Sequence, residues 1–261
     1  MGFPKFNNIF KKQPKVKNVL VAVCVHRGMD AFTFNSLKKL EFCSDPKITV
    51  YPVFGEALLS KSRSRVATDF FRKKEFDVLF FIDDDIVFEP IDVAKISYLV
   101  RSGFDIVGGA YPMKNYVQPY LAVKPFKDKS IKFGPDGGLQ EVRMLATGFM
   151  AIGRHVFEKM VESETVPLCD KSTLNYYPFF NPFYCEIEGE IRNLSEDYSF
   201  CKRATDLGFK VWVDGTTKLG HAGRYVYTQD EIFRTEKKVI ENFEYFDNEV
   251  SVSAVEIKKD S

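Results

Sequence analysis

Three consecutive carboxylates, Asp83-Asp84-Asp85, stand directly behind the apolar run Val78-Leu79-Phe80-Phe81-Ile82. Adjacent carboxylates repel one another, and a bound divalent cation turns that repulsion into attraction. The apolar run does not alternate, which is the pattern of a strand buried on both faces of a parallel sheet. Ligands of open α/β sheets gather at the carboxyl ends of such strands. The run therefore reads as a metal-and-phosphate site at a sheet edge. A solvated acidic turn is the plainer alternative.

Two further features of the second half carry chemistry. Ser195-Glu196-Asp197 opens a helix, where acids suit the positive end of the helix dipole. Asp197 also shares a helical face with Cys201, Ala204 and Gly208, the small-residue side that packs inward. A carboxylate at that position faces the interior or a cleft and is suited to general-base work. His221 follows between glycines in Gly220-His221-Ala222-Gly223, which permits close backbone approach. A lone histidine is more often structural than a ligand.

The elements that must position these groups alternate. Asn18 to Val25 reads as a buried first strand, followed by a helix around Phe32 to Leu40 and a β-rich stretch from Ile48 to Val53. Ser60 to Lys73 is helical, with Val66, Ala67 and Phe70 on one face. Asp77 to Ile82 is the central strand, Ile91 to Arg101 a helix, and Asp105 to Val107 a short strand. Strands alternating with helices imply βαβ units. After Pro112 the character changes: Tyr120 to Phe126 and Leu139 to Ile152 read as strands, and Gly153 to Val161 as a helix. Pro167 to Glu190 is rich in aromatic residues and prolines without periodicity, the mark of a long lid or binding loop. Ser195 caps a helix to Leu207, Gly208 stops it, Phe209 to Val213 is a strand, and Glu231 to Phe243 is a final helix.

The 261 residues suit one large α/β domain. A formal net charge of +1 gives no wholesale attraction to nucleic acid. The 26 phenylalanines and 12 tyrosines point to an aromatic-rich core. No apolar run approaches the roughly 20 residues of a membrane helix, and the N-terminus lacks the apolar core of a signal peptide. Five scattered cysteines without a C-x-x-C pair read as reduced thiols of a cytoplasmic protein. Residues 1–17 hold five lysines and no acid and read as a mobile basic arm, with a weak membrane-surface contact as the sharper alternative. A myristoylation reading of Gly2 fails because Phe6 stands where that signal wants Ser or Thr.

The order of these features resembles a glycosyltransferase of the GT-A fold, nearest to the family-two type. The matching pieces are the first strand, Arg63-Ser64-Arg65 at a helix start, and Phe81-Ile82-Asp83-Asp84-Asp85 as a DxD motif. They continue with Asp105-Ile106-Val107-Gly108-Gly109-Ala110-Tyr111-Pro112 and Ala146-Thr147-Gly148-Phe149-Met150. Ser195-Glu196-Asp197-Tyr198 resembles the family's ED motif and Gly220-His221 its late metal-binding histidine.

The resemblance implies a Rossmann-like α/β domain over residues 18–225 with a mixed, mainly parallel sheet. A donor half would span 18–112 and an acceptor half 113–225, and 226–261 would form a C-terminal helix and tail. It implies a nucleotide-sugar donor, with a UDP-sugar as the guess, and a glycan or other hydroxyl-bearing acceptor. Asp85 and His221 would bind Mn²⁺ or Mg²⁺, with Asp83 touching the ribose or the metal through water and Asp84 beside them; the sequence leaves open which aspartate touches the ion. Arg65 or Arg63 would stabilise the departing diphosphate, His26 and Arg27 lie where the family contacts the base, and Gly148 would leave room below the sugar. Asp197 would be the base of an inverting displacement, with Glu196 the runner-up.

Plainer roles stand beside these. Arg63 shares a face with Val66, Ala67 and Phe70, so it fits a helix-start residue packing its stem; Arg65 aligns with Asp69 for a surface pair, and Gly148 could only relieve crowding in a strand. Rival functions are a haloacid-dehalogenase-like phosphatase using Asp83 and Asp85, a nucleotidyltransferase, and a sugar- or nucleotide-binding module without turnover.

Overall fold

The computed structural model describes residues 18–26, 28–43, 46–114, 120–223, 226–229, 243–247 and 250–252. In chain order, the first half gives β1 (Asn18–Val25), α1 (Ala31–Leu40), β2 (Ile48–Phe54), α2 (Leu59–Arg72), β3 (Phe76–Asp83), β4 (Ile86–Val87), α3 (Pro90–Arg101) and β5 (Ile106–Gly108). The second half gives β6 (Val123–Lys124), β7 (Ile131–Phe133), β8 (Leu139–Val142), β9 (Met144–Leu145), β10 (Phe149–Gly153), α4 (Arg154–Glu162), β11 (Phe183–Ile187) and β12 (Glu190–Leu194). There follow α5 (Glu196–Asp206), β13 (Val211–Asp214), β14 (Gly220–Ala222), β15 (Val226–Thr228), β16 (Phe243–Asp247) and β17 (Val250–Val252). The basic arm, Arg27 and the expected final helix before Phe243 lie outside the described residues.

A seven-stranded sheet in the order β2-β1-β3-β10-β5-β13-β8 forms the centre. β2, β1, β3, β5 and β13 share one direction, while β10 and β8 run against their neighbours. The fold is therefore α/β with a mixed, mainly parallel sheet.

Helices cover both faces, which explains the unbroken apolar strands. Val19, Val21 and Val23 of β1, with Val78, Phe80 and Ile82 of β3, pack on Leu37 and Leu40 of α1 and Val93, Ile96 and Val100 of α3. The intervening Leu20, Ala22, Leu79 and Phe81 meet Val66, Ala67 and Phe70 of α2 and the buried faces of α4 and α5. Period-two alternation thus divides apolar residues between two cores, where a half-exposed strand would divide apolar from polar.

One sequence expectation changes and another gains an anchor. The single strand expected from Leu139 to Ile152 breaks into β8, β9 and β10, and the turn at Thr147-Gly148 redirects the chain so that β10 inserts between β3 and β5. The stretch expected as a lid from Pro167 is mostly exposed or half-buried and is anchored in the core at one point. Phe179 and Phe180 are fully buried. Phe180 stacks on Phe200 at 4.5 Å and meets Phe81 edge-on at 5.3 Å. Buried hydroxyls of α2 fix its backbone: Phe180 N–H donates to Ser64 Oγ at 3.0 Å and Tyr177 N–H to Thr68 Oγ1 at 2.9 Å. The remainder of that stretch runs into the β11–β12 hairpin.

Candidate functional site

β3 delivers the three aspartates to the carboxyl edge of the sheet, and their side chains then diverge to three different partners. Asp83 is the last residue of β3. Its backbone N–H donates to Gly148 O at 3.0 Å, which ties the strand end to the turn before β10. Its Oδ1 accepts from Arg63 Nη2 at 2.6 Å. The other arm of the same guanidinium, Nη1, donates to Glu196 Oε1 at 2.7 Å.

Arg63 is only 2% exposed, because it lies on the inward face of α2 with Ser64, Val66, Ala67 and Phe70. Burial works against its charge, but Asp83 and then Glu196 outweigh that and hold it firmly protonated. One buried cation therefore fastens the end of β3 to the start of α5. An expected stabiliser of a departing diphosphate is already engaged by two carboxylates.

Asp84 turns toward β1. Its Oδ2 accepts from the backbone N–H of exposed His26 at 3.3 Å, and its carbonyl accepts from Asp30 N–H at 2.8 Å. Burial pushes the Asp84 carboxyl up from its ordinary range; the His26 N–H opposes this, while Asp85 and Asp83 add to it.

Asp85 turns toward β14. His221 Nε2 lies 3.3 Å from its Oδ1, and Lys114 Nζ 2.5 Å from its Oδ2. Ala222 N–H donates to the Asp85 carbonyl at 2.7 Å, and His221 pairs with Ile86 of β4, so the two motifs meet through backbone bonding. Burial raises the Asp85 carboxyl, but His221 and Lys114 prevail and hold it below the usual carboxylate range.

The His221 ring is oriented from behind. Its Nδ1 donates to the Pro112 carbonyl at 2.8 Å, which turns Nε2 toward Asp85. Tyr111 packs edge-on against the ring at 5.2 Å. Burial pushes the Tyr111 hydroxyl well up, with Asp83 adding to the effect. The segment Tyr111-Pro112-Met113-Lys114 thus supports His221 and reaches Asp85 together. Lys114 was not among the sequence candidates: it stands two residues beyond the recognisable Gly-Gly-Ala-Tyr-Pro stretch, with no periodicity to mark it.

Gly148 sits where no side chain fits. A methyl group there would stand 2.4 Å from Tyr111 Oη and 2.7 Å from Asp83 Oδ2. The glycine makes room for the Asp83 and Tyr111 side chains themselves.

At the start of α5 the two acids differ. Glu196 is held by Arg63. Asp197 is partly exposed, and its Oδ1 accepts from the Ser195 hydroxyl and from Tyr198 N–H at 2.8 Å. Among the described residues its Oδ2 has no protein partner. Cys201 and Ala204, on the same helical face, are fully buried, as the spacing requires.

Arg65 is elsewhere. It is 48% exposed and lies 3.7 Å from Glu56 Oε2, so its neighbour is Glu56. Glu56, Ala57 and Leu59 join Cys24, Val25, His26, Ser62, the three aspartates and His221 around a cleft of about 340 Å³.

The donor set of Asp85 and His221 fits a divalent ion. Ligands about 2.1 Å from an octahedral ion lie about 3 Å apart on adjacent corners, close to the 3.3 Å between Oδ1 and Nε2. Among the described residues no cluster of three or more His, Cys, Asp or Glu groups gathers, so further ligands would come from water or a phosphate. Also among them, no helix is long and apolar enough to cross a membrane, and all five cysteines are free.

No family model matches the chain, and no curated protein matches it. Solved structures similar to it include the A197 protein of STIV, at 18% identity and a TM-score of 0.49 over 79% of this chain and 86% of that one. GalNAc-T7, solved with UDP, GalNAc and Mn²⁺, is similar at 12% identity and a TM-score of 0.44 over 80% of this chain and 44% of its own. The 4-diphosphocytidyl-2C-methyl-D-erythritol synthase of Anaerococcus prevotii is similar at 11% identity and a TM-score of 0.35, over 62% and 82%.

Proposed function

We propose that this chain is a metal-dependent glycosyltransferase that moves a sugar from a nucleotide-sugar, with a UDP-sugar as first choice, to a hydroxyl of a glycan or other acceptor. The observation that carries the reading is the Asp85–His221 pair, with Nε2 facing Oδ1 at 3.3 Å and the far nitrogen anchored on Pro112. Asp85 and His221 would hold Mn²⁺ or Mg²⁺, the nitrogen donor slightly favouring Mn²⁺. Such an ion neutralises a diphosphate and improves it as a leaving group.

The chain's own residues do the rest. The cleft beside Cys24, His26 and Glu56 takes the nucleoside, with Asp84 on its wall. Asp197 takes the proton of the acceptor hydroxyl through Oδ2, which has no partner among the described residues, as that hydroxyl oxygen attacks the anomeric carbon, giving inversion. Glu196 and Asp83 are locked on Arg63, which favours Asp197 over Glu196 as base. In this reading the donor half spans 18–112 and the acceptor half 113–225.

A thermal-shift titration with UDP, GDP, CDP and dTDP, each with and without Mn²⁺, tests the assignment. One diphosphate should stabilise the protein only with metal, by ~2.7 kcal/mol at about 100 times its Kd. The effect should vanish in Asp85→Asn. A response that is equal with and without metal, or no response to any diphosphate, would overturn it.

A further inference from the structure

We infer that Lys114 is a tethered cation that holds the Asp85 carboxylate while the metal is absent and transfers to the diphosphate when metal and donor arrive. The inference rests on the metal reading given above. Three observations carry it.

First, both oxygens of Asp85 are engaged, Oδ1 facing His221 at 3.3 Å and Oδ2 accepting from Lys114 at 2.5 Å. A divalent ion on the same carboxylate would stand a few ångströms from an ammonium group, and like charges at that separation repel strongly. Lys114 and the ion therefore compete for Asp85.

Second, the lysine is built to leave. Its side chain is 33% exposed, in contrast to the 2% of Arg63. Its stem passes the backbone of Gly223, with Cδ and Cε 3.5 and 3.6 Å from where a Cβ would stand. Lysine is a point charge on a flexible four-carbon stem, able to swing where a two-armed guanidinium bound on both sides would stay.

Third, the segment that carries Lys114 also orients the metal-facing histidine. Pro112 fixes Nδ1 of His221, and Tyr111 packs against the ring. The lysine is thus placed beside the position where the phosphates must lie to share the ion, and phosphate oxygens are the natural partner of a displaced ammonium.

The test is a binding measurement with two arms, read by Mn²⁺ electron paramagnetic resonance and by calorimetry on the full chain. The first arm uses Mn²⁺ alone. Lys114→Met should bind it tighter than the wild-type protein by ~3- to 10-fold, because the competing cation is gone. The second arm uses the nucleoside diphosphate that responds to metal, at saturating Mn²⁺. There Lys114→Met should bind about 10-fold more weakly, having lost a charge-assisted contact to phosphate. Lys114→Arg keeps the charge and should follow the wild type in the direction of both arms.

Unchanged or weaker Mn²⁺ binding by Lys114→Met overturns the competition, and unchanged diphosphate affinity overturns the transfer. Failure of the wild type and both variants to bind Mn²⁺, with and without diphosphate, sinks the metal reading itself and this inference with it. Circular dichroism confirms that the variants are folded.

Discussion

Two neighbouring acid–cation clusters lie at the end of β3, and they are built in opposite ways. In the first, Arg63 is buried and grips Asp83 and Glu196 with separate arms. In the second, Lys114 reaches Asp85 from a partly exposed stem, with His221 on the other oxygen. The first cluster cannot exchange its cation, because removing the guanidinium would leave two carboxylates facing each other in a poorly solvated place. The second can. A run of three like charges is thus split into one part that fixes the architecture, one that lines the cleft, and one that remains open to chemistry.

The contrast extends to the pair Glu196 and Asp197, and here the largest effect is expected. If Asp197 is the base, Asp197→Asn lowers turnover by ~10²- to 10⁴-fold and leaves metal-dependent diphosphate binding intact. Glu196→Gln should act mainly on stability, since it removes one of the two acids that hold Arg63. Steady-state kinetics combined with the diphosphate thermal shift separates the two. A greater loss of turnover in Glu196→Gln than in Asp197→Asn would reverse the assignment.

Next in size is the closed cluster itself. Arg63→Met leaves Asp83 and Glu196 without their shared counter-ion, and breaking a buried ion pair from one side costs about 3–5 kcal/mol. Urea unfolding should show that loss. A destabilisation below about 1 kcal/mol would mean that water reaches the pair and that the cluster is no strut.

How much of this was legible in the sequence follows from which interactions are local. β3 was readable because a strand buried on both faces has no alternation to hide, and its carboxyl end then had to carry the aspartates. The inward direction of Arg63 was implied by its sharing a helical face with Val66, Ala67 and Phe70, and the structure buries all of them. Its two partners were not implied, since they lie 20 and 133 residues away. The core anchor within the aromatic stretch before α5, Phe179 and Phe180, was not legible for a related reason. Its burial is arranged by Ser64 and Thr68 of α2 and by stacking on Phe200, contacts that leave no period within the segment. Lys114 escaped notice because a single lysine beyond a motif gains meaning only when the chain brings it back to Asp85.

A third cluster, away from the cleft, serves as an internal control. Asp214 is buried and bonds Lys95 at 2.8 Å, while the nearby buried Asp92 in the first turn of α3 accepts from the Glu89 N–H at 3.3 Å. Burial pushes the Asp92 carboxyl up to about 6, against the opposing pull of the Glu89 N–H and Lys95. Because the folded state holds this proton more tightly than the unfolded chain, Asp92 favours folding fully below about pH 3.9. That contribution is lost as pH rises to about 6. Asp92→Asn should therefore raise stability at pH 7 relative to that at pH 4 by about 1–3 kcal/mol, read from urea unfolding at the two pH values. An unchanged difference would show that Lys95 neutralises both acids, as Arg63 does in the closed cluster.

The smallest effect concerns the other arginine of α2. Arg65 is half exposed beside Glu56, which also has Lys61 at 3.9 Å, so its removal leaves no buried charge unpaired. Arg65→Ala should change stability by less than about 0.5 kcal/mol, as exposed ion pairs do. Its value lies in the second readout. The Glu56 that Arg65 faces lines the cleft, so the arginine stands near enough to be asked whether it meets the donor. If the diphosphate charge is met by the metal and Lys114, metal-dependent diphosphate affinity in Arg65→Ala falls by no more than about threefold. A loss of about tenfold at unchanged stability would mean that Arg65 leaves Glu56 when donor binds, and the exchangeable cation would then lie on the α2 side of the cleft, with Lys114 confined to guarding Asp85.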